Sequence, residues 1–174
     1  MMGKKVLVAY ASKHGATTEI AETIGQVLGQ AGLQADVLRA DRVGDLDAYT
    51  AVVLGSAVYI GQWRKEAVRF LKKNETSLAG KPVWLFSSGP SGEGDAVELL
   101  QGWQLPGKLQ PIVDRIGPRD VAVFHGVVDL NKLNFFEKWI VKNVKTPIGD
   151  YRDWEAITAW AMAIAEELQE SIAA

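Results

Sequence analysis

The chain has 174 residues, 48% hydrophobic and 23% charged, which suits one globular domain with a substantial core. A formal net charge of -2 provides no broad basic surface for nucleic acid, and the absence of cysteine excludes disulfides, thiol catalysis and cysteine-ligated metals. The apolar run after MMGKK is too short for a secretion signal, and no run reaches membrane-spanning length. We therefore expect one cytoplasmic domain over residues 1–174.

The predicted elements alternate between strands and helices. Lys4–Tyr10 is a valine-rich run typical of a strand buried on both faces. The next segment places Ile20, Ile24 and Leu28 on one helical stripe. In chain order, the predictions are strand Lys4–Tyr10, helix Gly15–Gln30, strand Gln34–Arg39, strand Thr50–Gly55, helix Gln62–Lys73, strand Pro82–Ser87, a short helix near Gln110–Ile116, strand Val121–His125 and helix Asp153–Glu170.

This alternation predicts a parallel sheet covered by helices on both faces, an α/β/α sandwich. Right-handed crossovers and a ligand loop after the first strand favour the strand order 2-1-3-4-5, with an insert at about residues 126–150. Ligands of such sheets bind beyond the carboxyl ends of the strands. We therefore expect the loops Ser12–Thr18, Ser56–Trp63 and Ser87–Asp95 to meet at one rim.

The first loop is rich in hydrogen-bond donors. Ser12, Thr17 and Thr18 carry hydroxyls, Gly15 permits close approach of the backbone, and the helix start offers unpaired amides. This set suits a phosphate monoester, but helix capping by serine and threonine explains it equally well. The loop has neither a Walker lysine nor a G-x-G-x-x-G pattern, which favours a mononucleotide over a dinucleotide or a nucleoside triphosphate.

The other two loops suit a flat ring. Tyr59 or Trp63 could stack on it, and the glycine-rich SSGPSGEGD could approach it from the other side. The alternatives are that both aromatic side chains pack inside the protein and that the third loop is a mobile surface loop. Convergence of three such loops on one rim favours a binding site.

The chain resembles the flavodoxin-domain family over almost its whole length. YASKHGATTEIA is similar to the flavodoxin phosphate loop, and DLDAYTAVVLGSAVYIGQW to the stretch that leads into the second flavin loop. GSAVYIGQWRKEAVRFL, VAVFHGVVDLNKLNFFEKWI and DYRDWEAITAWA resemble the branch that includes menaquinone-dependent protoporphyrinogen dehydrogenase. The resemblance implies a flavodoxin-like fold that binds FMN.

The resemblance also implies which residues hold FMN non-covalently. The phosphate would contact the first loop, at Ser12, Lys13, His14, Gly15, Ala16 and Thr17. The isoalloxazine ring would lie between the second loop, at Ala57, Val58, Tyr59, Ile60 and Gly61, and the third loop, at Ser88, Gly89, Pro90, Ser91, Gly92 and Gly94. Lys13 and His14 depart from the usual threonine-rich phosphate loop.

The insert has an amphipathic pattern. Leu133, Phe136, Ile140 and Val144 recur at helical spacing among several lysines, so residues 132–145 are predicted as a helix. One hypothesis is that this helix docks a quinone, a porphyrin-like substrate or the inner face of a membrane. The alternative is that it packs on its own domain or in a dimer.

Three functions remain open from the sequence. The first is an oxidoreductase that passes electrons from an organic donor through FMN to a quinone or protein acceptor. The second is an electron-transfer protein without its own substrate, and the third is an interaction module without a cofactor. Lys13, Arg64 and Lys65 beside Glu93 and Asp95 predict a flavin less reducing than one with acidic surroundings. No catalytic side chain and no metal site is predicted.

Overall fold

The computed structural model describes residues 4–89, 103–128 and 149–173. In this part of the chain, a parallel sheet lies between two layers of helices. Its elements are β1 (Lys5–Ala11), α1 (Ala16–Gln30), β2 (Gln34–Arg39), β3 (Ala51–Tyr59), β4 (Gln62–Trp63), α2 (Lys65–Ala79), β5 (Val83–Ser88), α3 (Gln110–Ile116), β6 (Asp120–Phe124), β7 (Val127–Val128), β8 (Gly149–Asp150) and α4 (Trp154–Ala173).

The sheet order confirms the prediction. The strands lie in the order β2-β1-β3-β5-β6, which is 2-1-3-4-5 when the parallel strands are counted alone. Valine-rich β1 is central and pairs with β2 on one side and β3 on the other. The flavodoxin-like α/β class is therefore correct, with the short strand β4 added beside β3.

The second helix starts later than predicted. Strand β3 continues to Tyr59 and turns back antiparallel into β4, and α2 begins only at Lys65. The turn residues Ile60 and Gly61 both have positive φ angles, of 50° and 70°, as a tight two-residue hairpin requires. A β-branched residue is rarely found in this conformation, so helical periodicity alone could not predict the turn.

The ends of the predicted insert form a small ribbon. β7 pairs antiparallel with β8, and the Tyr151 amide donates to the Gly126 carbonyl at 3.2 Å. The predicted helix over residues 132–145 lies outside the described residues. None of the helices within the described ranges has both the length and the apolar character needed to cross a bilayer.

The sheet is buried on both faces because alternate side chains of each strand enter different cores. In β1, Leu7 and Ala9 contact the layer of α2 and α3, whereas Val6 and Val8 contact the layer of α1 and α4. All four side chains are fully buried. Long apolar runs therefore predicted these strands well.

Close packing in the centre of the sheet depends on Gly55. A Cβ atom at this position would lie only 1.9 Å from Cζ of Phe86. The Phe86 ring also contacts Phe124 and Trp160, with ring centroids 5.7 Å and 6.0 Å away. The absent side chain of Gly55 thus leaves the space that this aromatic cluster occupies.

We expect Gly55→Ala to lower the free energy of unfolding by about 1–3 kcal/mol, because Phe86 must move. Gly29→Ala is the matched control, since Gly29 is an exposed helical position with open space around a new Cβ. That variant should be stabilised by roughly 0.5–1 kcal/mol. Urea denaturation measures both, and equal effects of the two substitutions would contradict the packing argument.

A polar cluster joins the strand starts at the opposite end of the sheet from the predicted loops. The Tyr49 hydroxyl donates to Asp36 at 2.7 Å, and Lys5 Nζ lies 3.1 Å from the same carboxylate. The Tyr49 hydrogen bond, assisted by Lys5, holds the pKa of Asp36 below its ordinary value of 3.8. Burial and Asp36 raise the pKa of Tyr49 to about 12.

We expect Tyr49→Phe to lower the free energy of unfolding by about 1 kcal/mol near neutral pH, through loss of this hydrogen bond. A depressed carboxyl pKa stabilises the fold above the unfolded-state pKa and loses that effect as pH falls through the folded-state pKa. The difference between wild type and Tyr49→Phe should therefore shrink below pH 3.8. Asp36→Asn is the control background, in which this pH dependence should vanish; its persistence there would contradict the assignment.

Candidate functional site

The carboxyl ends of four strands meet at one rim. The register pairs Ala11 with Ser56 and Ser56 with Ser87 across β1, β3 and β5. Ser88 in turn pairs with Phe124 at the end of β6. The three predicted loops leave the sheet from this row, so the structure brings together their described residues.

The first loop is shaped by Ser12 and Gly15. The Gly15 amide donates to Oγ of Ser12 at 3.0 Å, and Gly15 takes a left-handed conformation with φ of 92° just before α1. A Cβ at Gly15 would meet no atom within 4 Å, so backbone conformation, not crowding, requires glycine here.

The first turn of α1 presents amides at the rim. The Glu19 amide donates to the Gly15 carbonyl at 3.2 Å and so closes the first helical turn. The amides of Ala16, Thr17 and Thr18 therefore precede the helical ladder and have no acceptor among the described residues. With the positive end of the helix dipole, they suit an anion.

Lys13 joins the first loop to the second. Its Nζ lies 5.1 Å from the ring centroid of Tyr59, a cation–π geometry. Tyr59 is half-buried at the end of β3, next to the hairpin turn. The predicted phosphate-loop cation thus lies beside the predicted ring-contacting loop.

The second loop is a hairpin with Ile60 at its tip. Ala57, Val58 and Tyr59 are half-buried, whereas Ile60 is 67% exposed. A non-glycine residue at φ of 50° carries a backbone strain of about 1–3 kcal/mol, which the hairpin hydrogen bonds must offset. The rim therefore presents an exposed apolar side chain on a strained backbone.

Trp63 belongs to the second strand of the hairpin, and its side chain is buried. Its indole Nε1 donates to Oγ of Ser87 at 2.8 Å, and that hydroxyl donates to the Gln104 carbonyl at 2.6 Å. The side chain is buried, so the packing alternative holds for Trp63, and Tyr59 is left as the ring-stacking candidate of this loop.

Ser56 is a rim residue whose role was not predicted from the sequence. Its buried hydroxyl accepts a hydrogen bond from the Arg64 amide and donates to the Ala57 carbonyl, both at 2.9 Å. Arg64 immediately precedes α2. Ser56 therefore fixes the hairpin against the start of this helix, a contact across eight residues that helical or strand periodicity does not predict.

The third loop begins in a very crowded place. A Cβ at Gly89 would lie 2.9 Å from Cβ of Val58, and a Cβ at Gly126 would lie 3.3 Å from Cα of Gly89. The Gly89 amide also donates to the Phe124 carbonyl at 3.1 Å. Ser88 is buried beside it. The predicted site residues Pro90, Ser91, Gly92 and Gly94 lie outside the described residues.

Arg152 is a second rim residue for which the sequence analysis predicted no role. It lies within DYRDWEAITAWA, one of the stretches that resemble the family. Its Nη2 and Nε contact Asp150 at 2.7 Å and 3.0 Å, and its Nη1 donates to Glu19 and to the Ala16 carbonyl, the latter at 3.4 Å. The hydrogen bond from Arg152 lowers the pKa of Asp150. The segment before α4 is thereby attached to the first turn of α1.

Histidine, aspartate and glutamate within the described ranges form no cluster of three that could hold a metal ion. His14 is half-buried in the first loop and His125 is buried after β6.

Known proteins resemble this chain in sequence and fold. Protoporphyrinogen IX dehydrogenase (quinone) of Escherichia coli strain K12 is 24% identical over 182 residues, spanning 92% of this chain and 94% of that protein. Oxidised flavodoxin 2 from Bacillus cereus superposes with a TM-score of 0.61 at 23% identity, covering 94% and 99% of the two chains. A flavodoxin variant from Fusobacterium nucleatum, bound to flavin mononucleotide, gives 0.50 at 20% identity over 70% and 68%.

The family match extends across the whole described site. The flavodoxin domain family matches residues 7–154, from within β1 to the first residue of α4, and this range includes the three loops and Arg152. The structural likenesses agree with the observed strand order. This chain belongs to the flavodoxin domain family.

Proposed function

We propose that this protein is an FMN-dependent oxidoreductase, with one FMN-binding domain over residues 1–174. It takes electrons from an organic donor of the protoporphyrinogen kind and passes them to a quinone or protein acceptor. The observation that carries the proposal is the convergence of the loops after β1, β3 and β5 at one rim, in a chain of the flavodoxin domain family.

The first loop fits the phosphate of FMN. The amides of Ala16, Thr17 and Thr18 have no acceptor among the described residues, and Gly15 leaves open space where a side chain would stand. Ser12, Lys13 and His14 complete the proposed phosphate contacts. A phosphate group is the common anion that matches several backbone donors at a helix start.

The other loops fit the ring. Residues Ala57–Gly61 form a hairpin whose Tyr59 lies within cation–π distance of Lys13, and Ser88 and Gly89 lie beside Val58 of the same hairpin. The ring would lie between these loops, with Pro90, Ser91, Gly92 and Gly94 completing the third. When bound, the isoalloxazine ring supplies hydride or single-electron transfer.

The chain's own residues bind and orient the cofactor. The fixed hairpin, held by Ser56, and the buried Trp63 give the ring-binding loop a rigid support. We assign no general acid or base to any side chain.

The proposed substrate and acceptor come from comparison with the Escherichia coli relative. That Escherichia coli protein is a protoporphyrinogen IX dehydrogenase with a quinone acceptor, and its match to this chain is nearly full length. We further propose that the insert at about residues 126–150 docks the quinone or the porphyrin-like substrate, and that residues 132–145 touch the inner face of the membrane. The protein is then cytoplasmic and peripheral to the membrane.

We expect Gly15→Ala to weaken FMN binding at least about tenfold, because a side chain at positive φ must distort the phosphate loop. Gly32→Ala is the matched control, since its φ of 94° and open surroundings equal those of Gly15 but it lies at the other end of α1. Both variants should lose similar thermal stability. Titration followed by flavin fluorescence measures the FMN affinity of each variant. Equal FMN affinities in the two variants would contradict the proposed phosphate site. A wild-type protein that takes up no FMN would refute FMN binding altogether.

We expect the FMN-loaded protein to oxidise protoporphyrinogen anaerobically when a quinone is the sole acceptor, without a reductase. Deletion of residues 133–144 should abolish this turnover and leave FMN binding intact. Anaerobic visible spectra and porphyrin fluorescence measure both. Reduction of the bound FMN only in the presence of a reductase would instead favour the function of an electron-transfer protein. Full quinone turnover after the deletion would contradict the docking role of the insert.

A further inference from the structure

The Arg152 side chain places a largely, though not fully, buried cation beside the proposed phosphate loop. Its side chain is only 10% exposed, whereas Glu19 and Asp150, which it contacts, are 55% and 48% exposed. The guanidinium carbon also lies 4.7 Å from the ring centroid of Trp154. Asp150 ends β8, so this one side chain connects the end of the ribbon to α1.

The position of this cation requires an explanation. A positive charge is normally unfavourable at the N-terminal end of a helix, where the dipole is itself positive. Here Glu19 and Asp150 both pair with Arg152. An arginine suits such a place because its planar group can donate several hydrogen bonds at once, to carboxylates and to the Ala16 carbonyl.

Glu19 is the carboxylate that would affect binding of an anion at the start of α1. It lies in the first turn of α1, and the three amides that precede its own have no acceptor among the described residues. Without a cation beside it, this carboxylate would repel a phosphate group that carries close to two negative charges. Pairing with Arg152 removes that repulsion, and the bond to the Ala16 carbonyl holds the first turn in place.

We propose that Arg152 is a positioning residue that makes the site select the phosphorylated flavin, FMN, over riboflavin. The inference rests on the proposed FMN binding. Arg152 acts on the phosphate through Glu19 and Ala16, and it has no role toward the flavin ring. Its effect should therefore appear in the FMN affinity and be absent from the riboflavin affinity.

The experiment measures dissociation constants for FMN and for riboflavin by fluorescence titration of the full chain. Arg152→Gln should weaken FMN binding roughly tenfold, by loss of a charge interaction at a helix terminus, and leave riboflavin binding unchanged. Glu19→Gln should bind FMN as tightly as wild type or tighter. The double variant, Glu19→Gln with Arg152→Gln, should recover most of the FMN affinity that Arg152→Gln loses. Arg152→Lys keeps the charge and should recover part of it.

Arg119→Gln is the matched control. Arg119 pairs with Glu167 at 3.3 Å, and its amide donates to the carbonyl of Val83, at the amino end of β5 and far from the rim. Its FMN-to-riboflavin affinity ratio should equal that of the wild type.

The outcomes separate the inference from the proposed function. A wild type that binds no FMN refutes the proposed function and, with it, the inference. FMN binding by wild type with an unchanged affinity ratio in Arg152→Gln, or an equal loss for both flavins, overturns the inference alone. If Arg152→Gln does not fold, the Glu19→Gln variant tests the inference, because Glu19 is exposed. A fall in the ratio of FMN affinity to riboflavin affinity in Glu19→Gln would overturn the inference. A ratio that stays the same or rises supports it.

Discussion

Helices cover both faces of the sheet, and this constraint governs where the chain can place polar groups. The side chains of β1, β3 and β5 are buried in two apolar cores, so a polar ligand along either face would lose its water without compensation. The strand ends are the exception, because backbone groups there leave the ladder and hydroxyl side chains can replace apolar ones. Ser56, Ser87 and Ser88 stand in neighbouring strands where the apolar runs stop.

The described part of the rim is supported by contacts below its surface. Ser56, Trp63 and Ser87 form hydrogen bonds at the hairpin, and Gly89 packs closely against Val58. Buried polar groups of this kind specify one arrangement when each has a partner. A hairpin with strain at Ile60 is held by this support beneath it.

Charge at the rim is arranged by residues far apart in sequence. The first turn of α1 carries Glu19, and the compensating cation comes from Arg152 at the other end of the chain. Lys13 points the other way, toward Tyr59 of the hairpin. The two cations therefore contact different sides of the first loop and of the helix start that follows it, and they connect this region both to the hairpin after β3 and to the segment before α4.

The amino-acid sequence by itself determined the class of fold, the strand order and the location of the first loop. Continuous apolar runs such as Val6–Ala9 and the stripe of Ile20, Ile24 and Leu28 are local signals, because burial acts on each residue in its own strand or helix. The bounds of β2 and of α3 agree with the prediction for the same reason. Resemblance to a known family then suggested FMN as the cofactor and the residues proposed to hold it.

Only the tertiary structure decided how the site is supported. The burial of Trp63 against Ser87 and the role of Arg152 depend on contacts between residues that are distant in the chain. The hairpin at Ile60 and Gly61 and the hydrogen bonds of Ser56 join residues close in sequence, but they form because β3 and β4 pair. Periodicity carries no information about such partners, and helical spacing after Gln62 even predicted the wrong element. Packing overrides local preference there because pairing with β3 satisfies the backbone of Gln62 and Trp63, and the buried indole of Trp63 donates to Ser87 of a separate strand.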